Sequence, residues 1–482
     1  MNMLRIKLVL ALALCGYVGS HAQVSRAAER PNILFVFADD QCFETIHAVN
    51  NDEVETPNLD RLVSQGVTFT HAYNQGSYSG AVCVASRTML NTGRFLWHSQ
   101  TVYNSAEQER QAGRFWSEYM RAAGYETYMT GKWHVKANPE KAFDHVAHVR
   151  GGMPKQTKAG YNRPLPDAPD PWSPSDPKFG GFWEGGKHWS EVVADDALGF
   201  LAKAGESDKP FFMYLAFNAV HDPRQSPQAY VDKYPLSKVR VPVNFLPEYP
   251  FKDAIGCGKG LRDEALGPFP RTEHAVKVHR QEYYGILTHM DAQIGRILAG
   301  LEKTGKAKNT YIFFTADHGL AVGQHGLMGK QNLFDHSVRV PFVVVGPDVP
   351  KDKRIENRIY LQDVMPTTLE LAQVSKPEHV EFNSLLPQLR GEQKQGNYEA
   401  IYGAYLGVQR SVTHGDFKLI LYPNAKQVLL FNLKDDPREM KNLAGSAEYE
   451  ATVKQLYSRL LELQQATGDK LDLTKVYADL QG

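Results

Sequence analysis

The sequence predicts an α/β fold: a large central sheet, mixed but mostly parallel, sandwiched by helices, and a smaller C-terminal antiparallel sheet with its own helix. Three observations carry this. Continuous apolar runs recur over the first 382 residues, as strands covered on both faces require, and several end in acids, lysine or histidine. Amphipathic helical stretches lie between them. From residue 383 the pattern changes to short alternating segments of the antiparallel kind.

Residues 32–37, Asn-Ile-Leu-Phe-Val-Phe, make the first strand and end in Ala38-Asp39-Asp40. Acids at the end of a central strand stand where open α/β sheets place ligands, although a plain polar turn would look the same. Thr56-Pro57 opens a helix, with Thr56 as N-cap and Leu59, Leu62 and Val63 on the inner face. The small, polar residues 74–80 lead into Cys83, after which residues 86–91 offer one or two helical turns. Residues 115–123 form an amphipathic helix closed by Gly124, and residues 125–129 the next strand, ending in Thr130-Gly131-Lys132-Trp133-His134. The Gly-, Pro- and Trp-rich stretch 150–190 is a long surface insertion; Trp172, Trp183 and Trp189 suit either sugar stacking or packing of the loop itself.

A helix over 190–201 precedes a strand over 211–217, which delivers His221 to the same rim. The irregular, Pro-rich residues 224–270 come before a long helix over 276–301, in which Asp291 is a structural acid. A strand over 311–314 ends in Thr315-Ala316-Asp317-His318-Gly319, and another covers 340–345. Short strands at 401–404, 409–413, 417–422 and 428–432 and a helix over 451–467 complete the chain.

Lys+Arg and Asp+Glu both number 54, which argues against a nucleic-acid partner yet allows a local positive pocket. Residues 1–22 read as a secretory signal: Arg5 and Lys7, an apolar run too short to span a membrane, then Ser20-His21-Ala22. A periplasmic or secreted location is expected; a lipoprotein anchored through Cys15 is the alternative, against which stands the bulky Leu14 just before it. Removal of the signal takes Cys15 and leaves Cys42, Cys83 and Cys257, an odd set that suggests one thiol with a task of its own. Whether Cys42 and Cys257 pair stays open.

A thiol at a helix start faces free N–H groups and the positive end of the macrodipole, with Arg87 one turn on. Taken alone, Cys83 reads better as a small buried cysteine. Its neighbours decide: Cys83-Val84-Ala85-Ser86-Arg87 with Leu90-Asn91-Thr92-Gly93-Arg94 resembles the first signature of the type I, formylglycine-dependent sulfatases. Residues 124–134 resemble the second signature, and Gly329-Lys330 through Phe334-Asp335 before Val340-Pro341-Phe342 also fits the family. So does Gln362-Asp363-Val364-Met365-Pro366-Thr367, and the resemblance covers nearly the whole mature chain.

The resemblance implies an alkaline-phosphatase-like fold divided into a signal peptide (1–22), a catalytic domain (23–382) and a C-terminal subdomain (383–482). It implies oxidation of Cys83 to formylglycine, and Ala85 in place of the usual proline points to a radical-type maturase as partner. One Ca²⁺ would be held by Asp39, Asp40, Asp317, His318 and residue 83, carboxylate oxygens suiting a hard cation. His318 stands where most relatives have Asn, as in enzymes resembling iduronate-2-sulfatase. Arg87 and Lys132 would stabilise the hydrated aldehyde, and Lys330 and His221 would hold the sulfate. His221 or Lys330 would protonate the departing alcohol, and His134 would take the proton whose loss expels sulfate.

The expected function is hydrolysis of sulfate esters in a sulfated poly- or oligosaccharide, of algal or glycosaminoglycan type. One rival is a phosphodiesterase or phosphonate monoester hydrolase of the same superfamily. Its two-metal members need a second ligand set, for which Asp144, His145 and His148 are the dense candidates. The other rival is a glycan-binding relative without catalysis.

Overall fold

The computed structural model describes residues 30–154 and 156–481; the expected signal peptide and Cys15 lie outside them. In chain order the strands of the two larger sheets are β1 (Asn32–Ala38), β2 (Val67–Tyr73), β3 (Gly76–Ser77), β4 (Glu126–Lys132), β5 (His145–Arg150), β6 (Phe211–Ala216) and β7 (Thr310–Ala316). There follow β8 (Arg339–Val340), β9 (Phe342–Val345), β10 (Lys353–Tyr360), β11 (Ala400–Tyr405), β12 (Gln409–His414), β13 (Phe417–Tyr422) and β14 (Gln427–Asn432). The helices that position the site are α1 (Pro57–Gln65), α2 (Val82–Thr92), α3 (Trp189–Gly205), α4 (Glu273–Lys303) and α5 (Glu450–Thr467).

The large sheet runs β8-β2-β9-β7-β1-β6-β4-β5, with β10 also paired to β2. Strands β5, β4, β6, β1 and β7 are parallel, so their C-terminal ends share one edge. Strand β9 runs antiparallel between β7 and β2, which makes the sheet mixed. The expected strand over 340–345 is parted at Pro341, which has no N–H for the ladder. Every residue of β1 is buried, and since its side chains alternate between faces, both faces are covered.

Helix α1 begins at Pro57 with Thr56 at the N-cap position, as expected, but the Thr56 side chain makes no capping hydrogen bond. The Thr56 hydroxyl accepts from the His47 N–H and donates to Asp60, while Asp291 on α4 accepts from the Asn58 and Leu59 N–H groups at 3.2 and 2.8 Å. The free N–H groups at the start of α1 are thus met from a neighbouring helix. Asp291 is structural, as expected. The N-cap of α4 is Thr272, whose side chain accepts from the Ala275 N–H.

The small sheet runs β14-β13-β12-β11-β3. Its last member belongs to the segment just ahead of Cys83 and pairs parallel with β11. Gly76 sits at φ 93°, and a Cβ there would meet the Ala404 carbonyl oxygen at 1.9 Å, so only glycine allows this approach. One hydrophobic cluster joins Tyr73, Val82, Met89 and Phe334 to Tyr402, Leu419, Leu430 and Tyr457 across the expected boundary at residue 383. A buried ionic group lies in the same region: Lys418 reaches Asp335 at 2.9 Å and Glu439 at 2.8 Å.

The insertion 150–190 is pinned by Arg163, which binds Asp170 and, on α4, Glu282, each at 2.5 Å. The Arg163 guanidinium covers buried Trp172 at 4.6 Å, and that of Arg150 covers Trp189 at 4.7 Å. Trp172 and Trp189 thus pack within the protein, each under an arginine. Cys42, Cys83 and Cys257 are all buried and free, so Cys42 and Cys257 do not pair. No helix among the described residues is long and apolar enough to cross a membrane.

Candidate active site

Four strand ends and one helix start converge. Asp39 and Asp40 follow β1, Lys132 ends β4, His221 follows β6 and Asp317 follows β7. Cys83 lies in the first turn of α2, which starts at Val82, ahead of the expected turns, and brings Arg87 round on the same helix. Asp40 has φ 61° and His134 φ 56°, the left-handed region that non-glycine residues populate sparsely. Asp40 is held there by its own N–H, which donates to Asp317 Oδ1 at 3.1 Å, and by Tyr283, whose hydroxyl donates to the Asp40 carbonyl at 3.0 Å.

Ligand atoms of Asp39, Asp40, Cys83 and Asp317 lie within 4.8 Å of one another, all buried. The Cys83 Sγ donates to Asp39 Oδ1 at 3.2 Å and lies 3.7 Å from Asp40 Oδ1. Three buried cations interleave with the three acids. Arg87 Nε donates to Asp317 at 2.9 Å, Lys132 Nζ pairs with Asp39, and Lys330 Nζ reaches Asp40 at 2.5 Å and the Cys83 Sγ at 3.4 Å. Arg87 Nη1 also donates to the Lys132 carbonyl at 2.7 Å, tying α2 to β4.

Burial decides the proton equilibria first. It lifts Asp40 to about 8, although Lys330 opposes it, and lifts Asp39 to about 6 with help from Asp317. Asp317 is buried too, but Arg87, then Lys132 and Lys330, hold it well below the usual range. Burial, then Asp317 and Asp39, push the Cys83 thiol far up, so it stands protonated. Burial lowers His134 to about 3, with Lys132 and Arg87 adding to it, and drives His221 well down with Lys330 adding; both imidazoles are neutral. The Lys330 ammonium is held well above its usual range, burial being overcome by Asp40.

His221 Nδ1 lies 2.6 Å from the Asp222 carbonyl, so that nitrogen carries the hydrogen and Nε2 faces Asp40 at 3.6 Å. Asp222 is in turn clasped by Arg262. His318 stands beside the ligand group without joining it; its Nδ1 lies 3.1 Å from the Gly319 carbonyl. His134 faces the same cleft as Cys83, His221 and Lys330, a space of about 480 Å³. Gly152, from the insertion, lies flat against the His134 ring; a Cβ there would stand 2.5 Å from it.

Asp144, His145 and His148 are engaged elsewhere. Asp144 accepts from the Thr127 N–H and hydroxyl, His145 pairs with Glu126 at 2.7 Å, and His148 with Asp196 at 2.8 Å. Sequence reasoning passed over Arg262, Asp263 and Gln331, which line the cleft. Arg262 and Asp263 lie in the irregular 224–270 stretch, where no periodicity flags a site. Asp222 had a signal, its place next to His221.

A family model described as Sulfatase matches residues 31–374, and one described as N-sulphoglucosamine sulphohydrolase, C-terminal, matches residues 323–466. The chain is 28% identical to an arylsulfatase of Clostridium perfringens, over 90% of this chain and 94% of that one. It is 26% identical to an N-acetylglucosamine-6-O-sulfatase of Bacteroides thetaiotaomicron, over 96% and 91%. An ulvan-active sulfatase of Formosa agariphila is 24% identical, over 93% and 84%. Among solved structures, one holding its substrate D-glucosamine-2-N,6-O-disulfate superposes with TM-score 0.71 at 25% identity, covering 92% of this chain and 99% of that one. The phosphonate monoester hydrolase of Agrobacterium radiobacter has TM-score 0.71 at 21% identity, over 91% and 96%, and shares the fold.

Proposed function

Because this chain belongs to the sulfatase family, a family of sulfuric ester hydrolases, we propose that it is exported and hydrolyses sulfate esters of a poly- or oligosaccharide, of algal or glycosaminoglycan type. The observation that carries this reading is the buried group of Asp39, Asp40, Asp317 and Cys83, interleaved with Arg87, Lys132 and Lys330. Relatives named N-acetylglucosamine-6-O-sulfatase and ulvan-active sulfatase, and the structure with bound glucosamine disulfate, support the choice of a sugar.

The donor set fits a hard divalent cation such as Ca²⁺. Three carboxylates, hard oxygen donors of the kind such an ion takes, and position 83 bring their ligand atoms within 4.8 Å of one another. Asp39, Asp40, Asp317 and residue 83 would hold the ion. Bound there, it would neutralise sulfate oxygens and favour ionisation of a neighbouring hydroxyl. Oxidised to formylglycine by a radical-type maturase, position 83 would offer a hydrated aldehyde, whose hydroxyl is the nucleophile toward sulfur.

The remaining work falls to the side chains. Arg87 and Lys132 orient position 83 and offset charge at its oxygens. Lys330 holds the ester beside His221, and its ammonium, the one of the two groups that carries a proton toward the cleft, supplies the hydrogen that the departing sugar alcohol needs as its S–O bond breaks. His134, neutral in its buried setting, accepts the proton whose loss from residue 83 expels sulfate and restores the aldehyde.

Peptide mass spectrometry of Cys83 from the native host, with turnover of a panel of sulfated oligosaccharides, tests this. Expected are the formylglycine mass, sulfate release, and loss of turnover in Cys83→Ala. An unmodified thiol with sugar binding would favour a non-catalytic relative. Faster turnover of an aryl phosphodiester than of an aryl sulfate would favour the phosphonate hydrolase branch.

A further inference from the structure

Lys330 lies on an irregular connection, between β7 and β8, with no strand or helix of its own to aim it. Its Nζ nevertheless stands 2.8 and 2.5 Å from the two Asp40 oxygens and 3.4 Å from the Cys83 Sγ. The two residues before it are gripped by one carboxylate. Glu264 Oε2 accepts from the Met328 N–H at 2.9 Å, and Oε1 from the Gly329 N–H at 2.8 Å. Glu264 is 0% exposed.

That carboxylate is itself locked. Arg271 binds Glu264 Oε2 at 2.5 Å and donates to the carbonyls of Glu264, Gly267 and Gly326 at 2.8, 2.6 and 3.1 Å. The guanidinium thus ties the 264–271 turn to the Lys330 connection at Gly326. Gly329 leaves no room for adjustment: a Cβ there would meet Gln331 Oε1 at 2.6 Å, Asp263 Cβ at 2.8 Å and Glu264 Oε1 at 3.0 Å. On the far side, Gln331 Oε1 accepts from the Lys330 N–H at 3.0 Å and its Nε2 donates to Asp263 at 2.8 Å.

We propose that Glu264 is a positioning residue for Lys330: by holding the Met328 and Gly329 amides it sets where the ammonium meets Asp40 and residue 83. A charge-assisted pair of amide bonds suits the task, because each is short, directional and buried. This rests on the reading of Lys330 as a sulfate-holding group. Glu264 touches neither that group nor Cys83; it acts through the backbone.

A double-mutant cycle on the full-length, matured enzyme with an aryl sulfate tests it. Lys330→Ala should lower kcat/KM by about 100-fold or more, and Glu264→Gln, which keeps the shape but loses one acceptor, by about 10- to 100-fold. In the Lys330→Ala background, Glu264→Gln should cost little further activity, while its effect on Tm should be the same in both backgrounds. Equal activity loss with and without Lys330 would overturn the proposal and make Glu264 a stability residue. If Lys330→Ala leaves kcat/KM intact, the underlying reading of the site fails instead. Should Glu264→Gln not fold, Gly329→Ala displaces the same segment with Glu264 intact: coupling to Lys330 supports the proposal, and additive loss overturns it.

Discussion

Arg87 is wholly withdrawn from solvent, its guanidinium 4.6 Å from the centre of the Phe37 ring and its Nε on Asp317. Breaking a buried pair costs more than the pair itself is worth, because one charge stays behind without a partner. Arg87→Met should therefore destabilise the chain by about 3–5 kcal/mol. It also leaves three carboxylates facing two cations, so added Ca²⁺ should raise Tm more in the variant than in wild type, since an ion bound only by the fold stabilises it. Melting curves with Ca²⁺ and with chelator check this; equal gains in the two proteins would contradict the placement of the ion. At this scale much was legible. Cys83, Lys132 and Lys330 stand in short local patterns, and strand-end acids advertise themselves. Arg262 and Glu264 do not, because their partners His221–Asp222 and Met328–Gly329 are remote in the chain and no local rule connects them.

Helix boundaries depend on partners that a local pattern does not contain. The start of α2 lies ahead of residue 86 because Val82 packs into the cluster with Tyr402 and Leu419, a contact invisible from residues 82–91. Thr56 had every mark of a cap, yet Asp291 takes that role from α4. Burial lifts Asp291 to about 6 from 3.8, against the hydrogen bonds of Leu59 and Asn58. The sign follows from linkage: a raised value in the fold means a contribution complete below 3.8 and lost as pH rises to about 6. Asn does not titrate, so the stability of wild type relative to Asp291→Asn should fall across that window and level off above it. Urea unfolding at a series of pH values measures this, and a flat difference would refute it. The strands needed no such help: β1, β6 and β7 are where the apolar runs placed them, because burial on both faces leaves the pattern little freedom.

The two sheets are less separable than the change of pattern at residue 383 suggests. Strand β3, two residues long, has no periodicity to betray it, and it belongs to the sheet farther along the chain. Truncation after residue 382 would uncover Tyr73, Val82, Met89 and Phe334 and leave Asp335 without Lys418. The shortened chain should lose near-ultraviolet dichroism and bind hydrophobic dyes, rather than persist as an independent domain. A sharp, cooperative melt of that fragment would show the opposite. The stitch between β3 and β11 also carries a consequence in time. During synthesis the segment ahead of Cys83 must wait for a strand near the far end of the polypeptide before it can dock. Once docked, the thiol is 2% exposed beneath its neighbours. Any enzyme that is to rewrite that side chain has to reach it before the two segments meet.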